Sequence, residues 1–548
     1  MVGTWDRNWR EHFWAQLLDE HAQTWDLLVV GGGITGAGIL REAAERGLQA
    51  LLVEQHDFAW GTSSRSSKMV HGGLRYIAEG DIRLTRHAVT ERERFLREAA
   101  GLVERMTYVY PIRRRHFPGR RSMGALLWVY DLIARKHDHR YLPAEELLMQ
   151  IPGLSEAGLR GGLQYTDAVT DDARLVLRTL QEARAEGATA ANYTRAVELL
   201  MEGGAVTGVR LRDMCGERQA EVRARVVVNA TGAWADRLRH AVNDETRVRP
   251  LRGSHIVFPA WRLPVFQALT VLHPEDRRPV FIYPWEGRSV VGTTDLDHRE
   301  DLDAEASMSS GELEYLLTCV NTEFPTLALS AEDVISSFAG VRPVVGSGEK
   351  DPSKERRDHV IWQDRGLITV TGGKLTTFRL IARDVFDAAR ELVPDLPPGD
   401  PEVPVFRSRL GDWVAPLELG TDQRRRLAGY YGDRAPDVVE AAGPLELDLV
   451  PGTRTLWAEL RWAARAEAVE HLDDLMLRRT RLGLLLPHGG VALLPRVKHM
   501  CQNELGWSEE RWQREERAYR HLWLQHYSLP GRRPLGSTAP GPGETADV

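Results

Sequence analysis

The sequence predicts an α/β fold built around a doubly wound, Rossmann-like parallel sheet. An apolar run at 25–30 leads into a turn that carries Gly31, Gly33 and Gly36, and a helical run follows. A second apolar run at 51–53 then ends in Glu54. A buried strand, a glycine turn that opens a helix and a second buried strand are the elements of a dinucleotide-binding βαβ unit, in that order.

Each part of this unit has a physical role. Gly31 permits the tight turn, Gly33 lets the backbone approach a pyrophosphate, and Gly36 lets the helix pack closely on the strand. The N terminus of the helix offers unpaired N–H groups to phosphates. Glu54, roughly 20 residues further on, stands where an acid accepts hydrogen bonds from an adenosine ribose. The motif predicts dinucleotide binding but does not separate FAD from NAD.

Length and composition limit the class of protein. The chain has 548 residues, of which 43% are hydrophobic and 27% charged, as in a soluble globular protein of two or more domains. A net charge of −7 gives no reason to expect nucleic acid, and Cys215, Cys319 and Cys501 lie too far apart to predict a metal site. The N-terminal residues lack a signal-peptide core, and no stretch reaches the roughly 20 apolar residues that span a bilayer. We therefore expect a cytoplasmic protein.

A small, hydroxyl-rich run follows the second strand, from 58 to 68, and Gly72 and Gly73 come after it. Such a run offers hydroxyls and exposed backbone N–H groups to phosphates or to a flavin. Paired glycines let the backbone approach a planar ring, and Arg75 offers a planar fork to an anion. The alternative for this stretch is a solvated loop.

From this loop onward the sequence closely resembles the family of FAD-dependent glycerol-3-phosphate dehydrogenases. The run GTSSRSSKMVHGGLRYI is similar to the flavin-loop signature of that family, and further blocks keep the family's order. These blocks are YTDAVTDDARLVL (165–177), VVNATGAWAD (227–236), RGSHIVFP (252–259), VGTTDLDH (291–298), FAGVRPV (338–344), GGKLTTFR (372–379) and DDLMLRRTRLG (473–483). The resemblance covers about residues 25–525.

The resemblance implies a FAD-binding domain of the glutathione-reductase type, interleaved with an α+β substrate domain and followed by a helical C-terminal domain. The assigned ranges are an amphipathic N-terminal extension (1–23), the FAD-binding domain (24–79, 151–245 and 338–392), the substrate domain (80–150 and 246–337), a proline-rich linker (393–405), the helical domain (406–529) and a disordered tail (530–548). We expect the N-terminal helix to dock on the body; contact with a partner or a membrane is the alternative.

The resemblance also implies non-covalent FAD, so no bond is assigned to His71. The predicted cofactor-binding residues are Gly31, Gly33, Gly36, Glu54, Thr62, Ser63, Ser64, Ser67, Lys68, Gly72, Gly73, Leu74, Thr231, Gly232, Gly373, Lys374, Leu375 and Thr376. A plain structural turn is the alternative for Thr231 and Gly232.

The reaction implied is oxidation of sn-glycerol 3-phosphate to dihydroxyacetone phosphate, with hydride transfer to the flavin and electrons passed to a membrane quinone. Arginine forks match phosphate geometry, so Arg75, Arg342 and Lys374 are the candidate phosphate ligands. Arg357 is a weaker candidate, because it lies in an exposed charge run. Tyr76 would orient the substrate or simply pack.

A general base must take the proton of the C2 hydroxyl, and histidine is well suited to this exchange near neutral pH. His255, in a matching block just ahead of an apolar run, is the candidate. A structural histidine is the alternative. We therefore place His255, Arg342 and Lys374 in the catalytic set.

Residues 113–137 combine basic clusters with a short apolar helix that carries Trp128 and Tyr130. This pattern suits the surface of an anionic bilayer, and an ordinary buried helix with a solvated basic loop is the alternative. We expect attachment to the inner face of the cell membrane. The partners predicted are glycerol 3-phosphate, a quinone, the membrane surface and a second copy of the chain. The rival functions are an oxidase of the same family that uses oxygen, and a flavin-dependent amine or amino-acid oxidase.

Overall fold

The computed structural model describes residues 4–19, 24–78, 80–346, 358–407 and 413–531. The strands are β1 Trp25–Val30, β2 Ala50–Val53, β3 Met69–Val70, β4 Val103–Arg113, β5 Arg140–Pro143, β6 Leu159–Thr170, β7 Thr189–Ala191, β8 Thr194–Glu202, β9 Ala205–Asp213, β10 Gln219–Asn229, β11 Val248–Pro259, β12 Ala268–Leu272, β13 Pro279–Trp285, β14 Arg288–Gly292, β15 Leu296–Asp297, β16 Ser336–Val345, β17 Val360–Asp364 and β18 Leu367–Thr371.

The helices alternate with these strands in the first part of the chain and dominate its last part. They are α1 Trp9–Leu17, α2 Ile34–Glu45, α3 Leu74–Ala78, α4 Ile82–Glu98, α5 Arg120–Ala134, α6 Ala144–Gln150, α7 Asp172–Ala185, α8 Ala235–Arg239, α9 Ser310–Glu323, α10 Phe378–Leu392, α11 Thr421–Tyr431, α12 Ala435–Glu440, α13 Trp457–Ala466, α14 Leu482–Leu485, α15 Leu494–Leu505 and α16 Glu509–His526. A π-helical segment spans Asp474–Arg479.

The first sheet has eight strands over the described ranges. Its order is β17-β18-β10-β1-β2-β7, and the β8–β9 hairpin continues antiparallel from β10. Strands β18, β10, β1, β2 and β7 are parallel, with Val29 between Val228 and Leu52. A run of apolar residues such as β1 is stable here because both faces of a parallel sheet are covered. The predicted doubly wound α/β fold is confirmed.

The second sheet has ten strands over the same ranges, in the order β15-β11-β14-β13-β12-β4-β6-β3, with β16 on β11 and β5 on β6. It includes β6 and β16, which the sequence assignment put in the FAD-binding ranges 151–245 and 338–392. The reason is long-range antiparallel pairing: β6 pairs with β4 along almost its full length, and β16 pairs with β11. The chain therefore crosses between the two sheets more often than the assigned boundaries imply.

The ends of the described chain pack against this core. Helix α1 buries Phe13, Trp14 and Leu17, and the segment before it buries Trp5, whose indole Nε1 donates to the carbonyl of Ala190 at 2.9 Å. The linker range 393–405 is held by Arg41, which donates to the carbonyls of residues 404 and 405. Most of the tail predicted to be disordered, 532–548, lies outside the described residues.

Helix α5 and its flanks carry the segment for which the sequence left two readings. The helix buries Met123, Leu127 and Tyr130, while Trp128 and Leu132 are 55% and 65% exposed. One face therefore belongs to the core and the other presents apolar side chains to solvent. Within the described ranges, no helix is long and apolar enough to cross a membrane.

Candidate active site

Two adjoining cavities lie where the two sheets meet. The first, of about 470 Å³, is bounded by the ends of β1, β2, β10 and β18. The second, of about 520 Å³, lies between the loop at 66–76 and the second sheet. They share the lining residues Thr62, Ser66, Pro343, Gly373, Lys374 and Leu375. A long cofactor can therefore extend from one cavity into the other.

The glycine turn after β1 forms the wall of the first cavity. Gly31 has a φ of +119°, and a Cβ there would stand 2.5 Å from the carbonyl oxygen of Ala230. A Cβ on Gly36 would collide with the carbonyl of Gly31, so this glycine permits the close packing of α2 on the strand. Gly33 caps α2, and the first N–H of the helix, that of Ile34, donates to the hydroxyl of Ser63 at 2.9 Å.

Glu54 lies at the end of β2 and lines the first cavity. Its carboxylate accepts hydrogen bonds from the backbone N–H groups of Gly32 and His56, at 2.7 and 2.9 Å. Burial raises the pKa of this carboxyl, and the two backbone donors oppose that shift. The backbone thus fixes the carboxylate at the position where a ribose acceptor is expected.

Some of the predicted cofactor residues in the hydroxyl-rich loop face the cavities, and others point into the protein interior. Thr62, Ser63 and Ser67 line the cavities. Ser64 is buried, and the Lys68 ammonium, fully buried, pairs with Asp172 at 3.0 Å. Burial, reinforced by the nearby charge of Arg481, lowers the pKa of Lys68 to about 8.

The paired glycines at 72–73 are fixed from behind by a buried cluster. The carboxylate of Asp167 accepts from the backbone N–H of Gly72 at 2.8 Å, from Arg92 at 2.6 Å and from the hydroxyl of Tyr130 at 2.8 Å. A Cβ on Gly72 would collide with that hydroxyl, which is why a glycine is required here. Gly73, with a φ of +79°, lines the second cavity.

The remaining predicted cofactor residues surround the same space. Thr231 and Gly232 line the first cavity, Gly373 and Leu375 line both, and Leu74 and Thr376 line the second. The loop between β18 and α10 therefore faces the glycine turn of β1 across the first cavity. Every predicted cofactor residue except Ser64, Lys68, Gly36 and Gly72 lines a cavity.

His255 lies directly behind the wall of the second cavity. It is 1% exposed, its ring stacks on Phe338 at 4.6 Å, and its Nε2 is 2.9 Å from the hydroxyl of Ser67, which does line the cavity. Burial, together with the charges of Arg342 and Lys68, holds the pKa of His255 well below its usual range. The imidazole is therefore neutral at physiological pH.

Two predicted cations and the predicted tyrosine line the second cavity together. The Arg342 guanidinium donates to Asp295 and to the hydroxyl of Thr293, both at 2.9 Å. The Lys374 ammonium lies 3.3 Å from the centre of the Tyr76 ring. This arrangement offers positive charge to an anion that enters the cavity.

The other two predicted phosphate ligands cannot be placed as side chains. Arg75 belongs to α3, next to Leu74 and Tyr76, but its side chain lies outside the described part of the structure. Arg357 falls in 347–357, also outside the described residues.

The structure adds residues that sequence reasoning did not select. Arg278 lines the second cavity and donates to the carbonyl of Asp295 at 2.9 Å. Arg195 and Arg212 line the far part of the first cavity. Thr293 and Asp295 lie in the VGTTDLDH block, so the resemblance of that block to the family could have identified these two residues from the sequence. Nothing in the sequence around Arg195, Arg212 or Arg278 distinguishes these arginines from surface cations.

The geometry fits FAD. The glycine turn admits a pyrophosphate, Glu54 stands at the ribose position, and the first cavity opens into a second one large enough for a ring system and a small substrate. The buried Asp167 cluster holds the glycine backbone that would approach the ring.

Comparisons with known proteins agree with this geometry. Residues 26–387 match the family described as FAD dependent oxidoreductase, and residues 400–512 match the C-terminal domain of alpha-glycerophosphate oxidase. A glycerol-3-phosphate dehydrogenase of Mycobacterium leprae is 36% identical over 522 residues, which is 91% of this chain and 88% of the relative. The aerobic glycerol-3-phosphate dehydrogenase of Bacillus subtilis is 38% identical over 382 residues, which is 68% of each chain.

Solved structures give the same result. The glycerol-3-phosphate dehydrogenase of Bacillus halodurans, complexed with FAD, has a TM-score of 0.76 and 28% identity, covering 96% of this chain and 99% of that one. The L-alpha-glycerophosphate oxidase of Mycoplasma pneumoniae, with a TM-score of 0.55 and 19% identity over 70% of this chain and 98% of that one, shares the fold. The glycine cradle, the joined cavities and these matches lead to one conclusion: the chain is a flavoprotein that uses FAD, and it belongs to the family of FAD-dependent glycerol-3-phosphate dehydrogenases.

Proposed function

We propose that this protein oxidises sn-glycerol 3-phosphate to dihydroxyacetone phosphate and passes the electrons to a membrane quinone. One observation carries the proposal: the cavity that is lined by the cations Arg278, Arg342 and Lys374 is also lined by Ser67, the hydroxyl that contacts His255. A phosphate site and a proton acceptor thus share the space beside the flavin loop.

The cations account for recognition of the phosphate. Arg342 and Arg278 are held in place by Asp295, through its carboxylate and its backbone carbonyl respectively. Guanidinium groups bind phosphate oxygens in pairs, and fixing their orientation in advance lowers the entropic cost of binding. Lys374, above the Tyr76 ring, adds a third positive charge to the lining.

Ser67 and His255 account for the proton. The C2 hydroxyl of the substrate donates to Ser67 Oγ, and that hydroxyl passes its own proton to Nε2 of the neutral His255. For this step Nε2 must be the unprotonated ring nitrogen. Bound FAD supplies the acceptor for the hydride that leaves C2.

The electron and proton count balances with a quinone. Glycerol 3-phosphate loses two electrons and two protons as its secondary alcohol becomes a ketone, and the quinone gains two electrons and two protons as it becomes a quinol. Quinones reside in the bilayer, so an enzyme that reduces them gains by attaching there.

Helix α5 supports such attachment. Its outer face exposes Trp128 and Leu132, and the preceding loop exposes Phe117 at 79%. Exposed arginines surround these apolar side chains: Arg114, Arg115, Arg120 and Arg121. Arg113 does not belong to this group, since it pairs with Glu323 at 2.5 Å and is mostly buried.

A variant with Gln at Arg114, Arg115, Arg120 and Arg121 tests the attachment. Each such cation adds about 1 kcal/mol of attraction to an anionic leaflet, so the variant should no longer sediment with anionic vesicles. Flavin reduction by glycerol 3-phosphate should persist. Co-sedimentation equal to that of the wild type would remove this surface from the proposal.

The function itself is tested by anaerobic bleaching of the bound flavin. Glycerol 3-phosphate should reduce the flavin rapidly, whereas glycerol and lactate, which lack the phosphate, should not. Equal bleaching by glycerol would mean that the cations do not select the substrate, and bleaching by an amino acid would favour the amine or amino-acid oxidase reading.

Oxygen is the second candidate acceptor, because residues 400–512 match a domain that takes its name from alpha-glycerophosphate oxidase. The two acceptors are separated by measuring hydrogen peroxide against quinol with glycerol 3-phosphate as donor. We expect quinol as the main product. A stoichiometric yield of peroxide in the presence of quinone would assign the oxidase function.

A further inference from the structure

Helix α9, which the structure describes over its whole length, lines neither cavity but contacts two loops of the proposed phosphate site. The first loop, 292–296, contains two residues that bind the Arg342 guanidinium. The second loop, 273–278, ends in Arg278, which lines the second cavity. Each loop meets one side chain of α9, and these two side chains are three positions apart, on one face of the helix.

Glu312 makes the contact to the first loop. Its side chain is 2% exposed, and one carboxylate oxygen accepts from the hydroxyls of Thr294 and Ser254, at 2.7 and 2.8 Å. The other oxygen accepts from Arg252 and from the backbone N–H of Ser309, both at 2.9 Å. Burial opposes the charge of Glu312, but these partners outweigh it and lower the pKa of the carboxyl. Glu312 is therefore an ionised acceptor that fixes both hydroxyls.

The two hydroxyls belong to the backbone segments that surround Arg342. The residues on either side of Thr294 both bind the guanidinium, at 2.9 Å. Ser254 follows Gly253 in β11, where a Cβ would stand 2.3 Å from the Arg342 Nη2. Successive side chains of a strand point to opposite faces, so Ser254 reaches α9 while Gly253 faces the guanidinium. The carboxylate of Glu312 thus holds, from behind, both segments against which Arg342 lies.

Tyr315 makes the contact to the second loop. Its hydroxyl donates to the Asp276 carboxylate, 3.0 and 3.1 Å from the two oxygens, and its ring stacks on His273 at 3.5 Å. The same carboxylate accepts from the backbone N–H of Arg278 at 3.0 Å and lies 3.4 Å from its guanidinium. Arg278 also donates to the carbonyl of Asp295, which joins the second loop to the first.

One helix face therefore supports the loops of two cations. We propose that Glu312 and Tyr315 are positioning residues, which fix Arg342 and Arg278 relative to each other and thereby set the affinity for the phosphate of the substrate. Cations held in place before binding lose less entropy when the phosphate arrives. This proposal rests on the proposed function, since it concerns the same phosphate site. It goes further by assigning part of the phosphate specificity to side chains that line neither cavity.

Two conservative variants and a control test the proposal in the FAD-loaded protein. Glu312→Gln removes the charge but keeps the size of the side chain, and Tyr315→Phe removes only the hydroxyl. Asp333→Asn is the control, because Asp333 has the same two kinds of partner beyond the other end of β11. It accepts from the backbone N–H of Ser330 at 2.8 Å and pairs with Arg262 at 2.5 Å.

The first measurement is anaerobic flavin reduction, which gives the dissociation constant of glycerol 3-phosphate and the limiting rate. The second is competitive inhibition by inorganic phosphate. We expect Glu312→Gln to raise the dissociation and inhibition constants about 2- to 30-fold, and Tyr315→Phe to raise both by the lower part of that range. The limiting rate and the FAD content should stay close to those of the wild type. Asp333→Asn should change none of these values.

Combined variants separate positioning from a general loosening of the fold. If Glu312 acts through Arg342, Glu312→Gln should add little to the effect of Arg342→Ala. If Tyr315 acts through Arg278, Tyr315→Phe should add little to the effect of Arg278→Ala. Full additivity in both pairs would overturn the proposal. So would a loss of limiting rate and FAD content as large as the loss of affinity.

Wild-type constants in folded Glu312→Gln and Tyr315→Phe would also overturn the proposal. If Glu312→Gln does not fold, Tyr315→Phe and its combination with Arg278→Ala still decide the matter. If glycerol 3-phosphate does not reduce the flavin of the wild type, the proposed function fails and the positioning role with it. Reduction of the wild type together with unaffected variants refutes the positioning role alone.

Discussion

Replacing Arg342 by alanine is the most direct perturbation of the proposed phosphate site. The guanidinium lines the second cavity and is held by Asp295 and Thr293 at 2.9 Å. A hydrogen bond to a charged group contributes about 1.5–3 kcal/mol, so losing one weakens binding roughly 10- to 150-fold. The upper part of this range is expected, because the substitution also removes the cation that neutralises Asp295 and leaves that carboxylate to repel the phosphate.

The chain provides a closely matched control. Arg249 forms an ion pair with Asp297 at 2.7 Å on the neighbouring strand, and its side chain is 23% exposed, against 24% for Arg342. It lines neither cavity. Arg249→Ala therefore removes an arginine–aspartate pair of the same kind without touching the site, and the affinity for glycerol 3-phosphate should be that of the wild type.

The assay is anaerobic stopped-flow reduction of the flavin, in which the concentration dependence of the rate gives the dissociation constant of glycerol 3-phosphate. Arg342→Lys should fall between the wild type and Arg342→Ala, since it keeps the charge but loses the planar fork. Adding Asp295→Asn to Arg342→Ala should recover part of the affinity. Equal dissociation constants for Arg342→Ala, Arg249→Ala and the wild type would refute the phosphate role.

Three further outcomes follow from buried ionisable groups. Glu54→Arg should lower the ratio of FAD to protein, because the variant replaces the proposed ribose acceptor with a cation; full occupancy would contradict this. His255 is neutral when folded and gains a proton below about pH 6.5 when unfolded, so stability due to it is present above that pH and lost below. The stability advantage of the wild type over His255→Asn should therefore shrink between pH 7 and pH 5, measured by denaturant unfolding, and a constant difference would mean that the ring has the same pKa in the folded and the unfolded chain. Asp57→Ala should cost about 3–5 kcal/mol, seen as a lower Tm, since it removes the carboxylate that pairs with Arg479 and one of the three that pair with Arg478; an unchanged Tm would contradict a structural role for this ion-pair cluster.

The sequence was sufficient where structure is decided locally. The glycine turn, β1, α2 and Glu54 follow from residues within about 30 positions, and the structure brings them together around one cavity. The domain boundaries depend instead on contacts between distant parts of the chain. Strand β4 pairs with β6 and β11 pairs with β16, and an apolar pattern within one strand does not predict which other strand it pairs with.

The orientation of individual side chains was also beyond the sequence. Lys68 was expected to face the cofactor because it belongs to a hydroxyl-rich loop, yet its partner Asp172 is 104 residues away. His255 was expected to line the cavity, whereas in the structure Ser67 lies between the imidazole and the cavity. The cluster of Tyr108, Tyr165 and Phe281 in the second cavity could not be foreseen, because these rings meet only through strand register in the second sheet.

The C-terminal domain explains why the loop at 62–68 holds its shape. Arg481 donates to the carbonyl of Ser64 and to Asp172, which also binds Lys68 and both the backbone and the hydroxyl of Ser66. Buried ion pairs of this kind contribute little net stability but strongly restrict orientation, because any other arrangement leaves a charge unpaired. Lys68 is thereby drawn inward, and the hydroxyls of Thr62, Ser63 and Ser67 are left to line the cavities. A domain that lines neither cavity over its described residues therefore determines which groups the cofactor meets.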